Sequence, residues 1–504
     1  MLGLLQRATS NLKNAVSGSQ WEPSDDLPSG FHRFKQQHSL PLSSFGTFAF
    51  AATGYYSKGT ILLRRQGDAA AKNGANGHHH PPAYGDDDVD QKQRAAGDVH
   101  VQVEARSNSE GLYADSRLEP VEGHERCGIS LTTPASSSVG RIGAALSYHI
   151  TVTFPADFQT LDTISIDATS FRVLLAPSLA AIKFENIDIS TTDAAIVFDD
   201  LQVKSLKLRN QNRLDPNKTS LKNFDDLVTG SVKQADRIEI SCENGPISGS
   251  YRSSGPIIIS NTNFPIKGDF IGNALRLSTT NAEISGNFEA KRDIVAQNLH
   301  GKITGTFKAP VDCVIKSTYS PIQGTFIIGQ DLRLSTTVFR IDAVIRIIPS
   351  ASTPANSSGA APVTRVESSA TDDLPTFADA MASSTTLGAV NVIAETSDAG
   401  AELVYEDVPP EVVLRSLVKS SGGSVLRVKH DESFEGSFTA TCPITHSASV
   451  TVPDSPNSRG TRSLRYDIEK RNHIGGAVGY EGASADGRSR TIIESGGGAE
   501  FYFA

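Results

Sequence analysis

Between Ile238 and Ile345 the chain repeats one phrase six times: two alternating aliphatics, a polar turn, then Ile, any residue, Gly, any residue and an aromatic. Five copies end in Ile247-Ser-Gly249-Ser-Tyr251, Ile266-Lys-Gly268-Asp-Phe270, Ile284-Ser-Gly286-Asn-Phe288, Ile303-Thr-Gly305-Thr-Phe307 and Ile322-Gln-Gly324-Thr-Phe326, and a degenerate sixth in Ile341-Asp-Ala343-Val-Ile345. The anchors 249, 268, 286, 305, 324 and 343 are 19, 18, 19, 19 and 19 residues apart. Strands joined by hairpins have no reason to place one residue type at one offset in every copy. Stacked rungs do, because equivalent residues then lie above one another. The spacing therefore predicts an all-β chain, a parallel β-solenoid of ~19-residue rungs.

Each copy reads as two short strands. Alternation places Leu275, Leu277, Ile284 and Phe288 inward and Arg276, Ser285 and Asn287 outward, with Ser278-Thr279-Thr280-Asn281 as the corner. Gly286 is predicted to face inward, leaving room for the rung to bend or for a neighbouring aromatic. Tyr251, Phe270, Phe288, Phe307 and Phe326 should form one buried ladder, each ring stabilising by roughly 1.5 to 3 kcal/mol.

The repeats define a body over 98–348, resuming over 389–504. Looser copies, Ile164-Ser-Ile166 leading to Val173 and Ile187-Asp-Ile189 leading to Ile196, place its first rung near Phe154, and Leu206-Lys-Leu208 adds a rung broken by the polar stretch after Asn210. Beyond the Ser, Ala, Thr and Pro of 349–388, read as a disordered loop, Phe434-Glu-Gly436-Ser-Phe438 repeats the ending. Residues 1–97 read as largely disordered, with a short strand at 59–65. The uncharged stretch Ser39 to Ser57 is the only candidate membrane span, and its Ser, Thr, Gly and Pro make it too polar for a spanning helix. No charged start leads into an apolar core, so no secretory leader is expected and the compartment is read as cytoplasmic, with a membrane-associated or surface location as the alternative.

The residues offer little chemistry. A net charge of -9 gives no basic stripe for nucleic acid. Cys127, Cys242, Cys313 and Cys442 lie far apart without metal-ligand spacing and read as free thiols, so no cofactor is expected. Outward positions beside the repeated glycine, Ser248, Ser250, Lys267, Asp269, Thr304, Thr306, Gln323 and Thr325 among them, hold a single carboxylate, where sugar-cleaving chemistry needs a pair. The tract His78-His79-His80 reads as a spacer, and glycines 496–498 open no helix and so no phosphate loop. One motif has a partner: Pro81, Pro82 and Tyr84 spell the Pro-Pro-any-Tyr ligand of WW domains, in which the prolines pre-set a polyproline II turn. Such a domain on a ubiquitin ligase would find Lys72 and Lys92 nearby as acceptors.

The Ser-Thr-Thr-Asn corner resembles the repeated phrase of adhesin-like β-repeat domains of unknown function. Val428-Lys429-His430, the Phe434 to Phe438 phrase and the Gly-rich strand to Phe503 are similar to uncharacterised fungal proteins carrying such repeats. The resemblance covers about 150–504 outside the loop. It implies a β-helical body and a fungal source and supplies no catalytic residues. The chain departs from the common phrase at Cys242-Glu243 and at Leu299-His300. The function expected is a non-enzymatic interaction or scaffold role. A surface or wall-associated adhesin-like protein is the alternative, and a β-helix enzyme acting on carbohydrate is a third.

Overall fold

The computed structural model describes residues 32–41, 45–54, 58–67, 98–108, 115–123, 125–134, 146–192, 194–211, 228–349, 389–409, 412–452, 462–480 and 489–503. Among these residues the regular structure is all strand except for the 3-10 turn Pro177–Ala181. The chain divides into two compact units, Met1–Phe288 and Glu289–Ala504.

In the first unit two parallel ladders run side by side. One stacks Glu125–Thr132, Phe45–Thr53, Thr160–Thr169, Lys183–Thr192, Leu201–Asn210, Arg237–Cys242, Pro256–Asn261 and the second half of Ile266–Thr279. The other stacks Leu146–Phe154, Gly59–Arg65, Phe171–Leu175, Ile196–Val197, Val228–Gln234, Ile247–Arg252 and the first half of Ile266–Thr279. Each strand thus pairs with the equivalent strand one copy away. Like residues meet: Ile238, Ile257 and Leu275 are in register and buried, as are Ile240, Ile259 and Leu277. Tyr251 and Phe270 stack at 5.3 Å and 5°, and Phe270 and Phe288 at 5.4 Å and 3°.

Two expectations are corrected here. The ladders do not begin near Phe154: the rung made by Phe45–Thr53 and Gly59–Arg65 lies between the rung of 125–154 and that of 160–175. Besides the strand expected at 59–65, the N-terminal region read as largely disordered holds two more, Phe45–Thr53 and His32–Pro41, the latter paired antiparallel with Asp98–Ser107. Phe48, Ala49, Phe50 and Ala52 are all buried, so apolar residues occupy both faces and no period-two signature marked the strand. An antiparallel strand, Arg117–Gly123, flanks Glu125–Thr132 and carries Pro120, a residue suited to a sheet edge.

The repeated glycine also has a different cause. Gly268 and Gly286 are half-buried at φ +146° and +144°, and a side chain on either would run into the carbonyl of the equivalent glycine one rung back. The missing Cβ makes room for neighbouring backbone, not for an aromatic.

Corner residues read simply as polar turn prove to be buried. Asn210, Asn261 and Thr279 lie along one line of the stack, and Asn261 Nδ2 donates to the Gly245 carbonyl at 2.8 Å, as Asn210 Nδ2 does to Ala194. Asn261→Ala strands that carbonyl, and urea unfolding should show a loss of about 1 to 3 kcal/mol. A change below a few tenths would remove the corner asparagine from the stabilising contacts.

The second unit repeats the plan. One ladder runs through 293–298, Asp312–Ser317, Asp331–Thr336, Ala389–Thr396, Val413–Ser420, Ser489–Ser495 and Gly436–Thr441. The other runs through Ile303–Ala309, Ile322–Ile328, Ile341–Ile347, Ala401–Glu406, Leu426–His430, Ala499–Phe503 and Ala448–Thr451. Phe307 and Phe326 stack at 5.2 Å and 10°. Pairing of Asp331–Thr336 with Ala389–Thr396 carries the stack past the interval 350–388, which lies outside the described residues. Again one rung is out of chain order: 489–503 sits between 413–430 and 436–451. An antiparallel hairpin, Arg462–Lys470 with His473–Tyr480, covers Gly436–Thr441.

The resumed phrase around Gly436 is a look-alike. Positions equivalent to Gly305 and Gly324 continue through Ala343, Leu403, Val428 and Phe501, whereas Gly436 belongs to the other ladder and faces Ser489. All four cysteines are buried free thiols, and burial pushes Cys127 and Cys242 up to about 11, away from the reactive thiolate.

Candidate functional site

Several polar positions beside and near the glycines are tied rung to rung. In the first unit Thr229 and Ser248 share a hydroxyl bond at 2.8 Å, Asn287 donates to Asp269 at 2.7 Å, and Lys267 pairs with Glu283 at 3.3 Å. In the second, Gln323 donates to Asp342 at 3.1 Å, Lys308 pairs with Glu289 at 2.7 Å, and Arg346 with Glu406 at 3.0 Å. These donors and acceptors spend themselves sideways along the stack.

Besides ion pairs such as those of Glu104 with Arg33 and Arg106, two groups of carboxylates stand close together on the ladders. Asp293, Asp312 and Asp331 are in register on successive rungs, followed by Asn391, whose amide donates to Asp331 at 2.8 Å. Burial, then the charges of Asp331 and Asp293, raise the Asp312 carboxyl above its ordinary range. In the first unit Ser231 donates to Asp199 and Asp200, and Lys233 pairs with Asp200 at 2.7 Å. Neither group lines a described cavity. A cavity of about 30 Å³ is bounded by Phe34, Val103, Leu131 and Tyr148 among others, with no carboxylate or imidazole, and has room for about one water. Among the described residues no group of three His, Cys, Asp or Glu is arranged to hold a metal ion.

A different corner stands out. The second residue after the buried corner positions Cys242, Asn261 and Thr279 is Asn244, Asn263 and Asn281 in the first unit, a solvent-facing amide stack in which Asn281 donates to Asn263 at 2.7 Å and Asn263 to Asn244. In the second unit the same offset from Asn298, Ser317 and Thr336 gives His300, Tyr319 and Val338. His300 and Tyr319 stack at 5.0 Å and 13°, held by backbone bonds from Tyr319 N to Leu299 O at 2.8 Å and from Val338 N to Thr318 O at 3.3 Å. Leu299, Tyr319 and Phe339 are 38%, 47% and 45% exposed, so three successive rungs present apolar groups to solvent. The sequence marked Leu299-His300 as irregular but passed over Tyr319 and Phe339. The signal that could have found Tyr319 is the replacement of Asn by a ring at the offset of His300, whereas Phe339 stands one place beyond that offset, after Val338.

Pro81, Pro82 and Tyr84 lie outside the described residues, as do Lys72, Lys92 and His78 to His80. Among the described residues no helix is long and apolar enough to cross a membrane. No family model matches the chain, and no curated protein matches it. Among solved structures it is similar to a provisionally assigned adhesin of Bacteroides fragilis, at 12% identity over 58% of this chain and 97% of that one, TM-score 0.27. It is also similar to a provisionally assigned cell adhesion protein of Clostridium sporogenes, at 7% identity over 94% and 99%, TM-score 0.15. Both are bacterial, and neither points to the fungal source that the sequence resemblance implied.

Proposed function

We propose that the repeats build a parallel β-solenoid acting as a non-enzymatic interaction scaffold, which binds a protein partner through the corner of Leu299, His300, Tyr319 and Phe339. The observation that carries this reading is the replacement of a hydrogen-bonded amide stack by exposed rings at one corner. Exposed apolar groups are ordinary when scattered, whereas a contiguous set on successive rungs suits a binding surface, and aromatic anchors supply most of the energy of such interfaces. The rungs behind the corner are cross-linked by backbone bonds, so the rings are held ready and lose little freedom on binding.

The test is proximity labelling in the source cells with the full chain and with Tyr319→Ser/Phe339→Ser. Losing two anchors at about 2 kcal/mol each should reduce labelling of specific neighbours well over tenfold, while the thermal melt stays within a degree or two. An unchanged set of neighbours from a normally folded variant would rule the corner out. The surface-adhesin reading is separated by protease treatment of intact cells, which cleaves a surface protein and spares an internal one.

A further inference from the structure

In the second unit His430 is buried completely, at the junction of five chain segments. Its ring stacks on Tyr405 at 4.8 Å, Phe434 at 4.0 Å and Phe503 at 5.6 Å. Nε2 lies 3.0 Å from the Thr491 hydroxyl, and Nδ1 has no hydrogen-bond partner. Thr491 and Phe503 both belong to the out-of-order rung 489–503, so the imidazole touches both strands of that rung.

The charged and titratable groups around this cage offer the ring no counter-charge. From the hairpin, Arg462 lies over the Phe503 ring at 5.7 Å and the Tyr480 ring at 5.8 Å and donates to the Phe434 carbonyl at 2.6 Å. Asp431 accepts from Ser433 and from the Val408 backbone N–H, and Tyr480 donates to the Glu432 carbonyl at 2.7 Å. Glu432 and Glu435, with Asp431, act on Arg462. On the inner side the Tyr405 hydroxyl bonds to Ser416 at 2.6 Å. An imidazolium here would face rings, a hydroxyl and a guanidinium.

We propose that His430 is an acid-sensitive latch on the rung 489–503: uptake of a second ring proton from solvent drives that rung out of the unit. Its departure leaves Gly436–Thr441 free to pair directly with Val413–Ser420, the strand that precedes it in chain order within the same ladder. The same sequence then has two discrete arrangements, which is what a switch requires. Burial, then the Arg462 charge, hold the closed-state imidazole down to about 3, against an ordinary value near 6.5 once the ring is in water. The closed form binds fewer protons, so closure is complete above 6.5 and weakens as pH falls from there toward 3. Between pH 7.5 and pH 5 the open population grows about thirtyfold.

The experiment is amide hydrogen exchange on the full chain at pH 7.5 and pH 5.0, expressed as protection factors so that intrinsic exchange cancels. Strands Leu426–His430, Ser489–Ser495 and Ala499–Phe503 should lose about thirtyfold in protection, while Pro256–Asn261 changes less than about threefold. In His430→Phe/Thr491→Val, where ring and hydroxyl are removed together, the acid sensitivity of 489–503 should vanish. Retained protection of 489–503 at pH 5.0 overturns the latch, and so does a double variant that opens as the wild type does. Should that variant fail to fold, histidine NMR of the wild type decides. A separate imidazolium signal for His430 growing with the loss of protection supports the latch, and ordinary titration near 6.5 in the closed protein refutes it.

Discussion

Gly268→Ala should remove roughly 4 kcal/mol or more of stability, enough to leave little folded protein. Two costs coincide at this position. At φ +146° an L side chain is strained by about 1 to 3 kcal/mol. The added methyl also meets the Gly249 carbonyl, and relief by separation would require the backbone to part from the rung that pairs Ile247 with Ile266 and Tyr251 with Phe270. Overpacking of that kind costs about 1 to 3 kcal/mol, and more when the obstacle is backbone rather than a movable side chain. Ser250→Ala, one rung back and beside the glycine, is the matched control and should stay within about 1 kcal/mol. Urea denaturation of soluble protein, or the soluble yield where none unfolds reversibly, reads the difference. A Gly268→Ala melt close to wild type would mean that the close approach of the two rungs is dispensable.

Phe270→Ala is expected to cost about 3 to 5 kcal/mol by equilibrium unfolding. The ring is fully buried between Tyr251 and Phe288, both within 5.4 Å, so its removal leaves a void bounded by two flat faces that the stacked backbones cannot close. Pairing it with Tyr251→Ala should reveal coupling of about 0.5 to 1.5 kcal/mol, the part due to ring stacking rather than to area removed from water. Strict additivity would reduce the ladder to independent buried groups. Phe270→Leu keeps most of the volume and should cost far less than the alanine.

What the sequence revealed about this protein follows the range of its interactions. The 19-residue spacing reports contacts between neighbouring copies, so the register of Ile247 with Ile266 and of Phe307 with Phe326 could be read from the chain. Alternation separated buried Leu275 and Leu277 from exposed Arg276 for the same reason. The placement of 45–65 and of 489–503 between distant rungs leaves no periodic trace, because each pairs with strands at irregular separations. Gly436 misled for the converse reason: three residue types at the right spacing occur by chance in a Gly- and Phe-containing strand of the other ladder. The corner rings were hidden because an exposed aromatic in one copy is unremarkable, and only the comparison of Asn263 with Tyr319 at one offset gives it meaning. The His430 cage draws on residues from 405 to 503 and has no local signature.

The displaced rung of 45–65 bears on how the molecule is made. Emerging from the ribosome, these residues cannot take their final place until 160–175 has also been synthesised, roughly a hundred residues later. At about 5 to 20 residues per second that is a delay on the order of ten seconds, during which Phe48, Phe50, Ile61 and Leu63 have no permanent shelter. Stretches of this kind are natural clients for chaperones that hold nascent chains, and the yield of the whole protein should respond to the supply of such helpers more than its final stability would suggest.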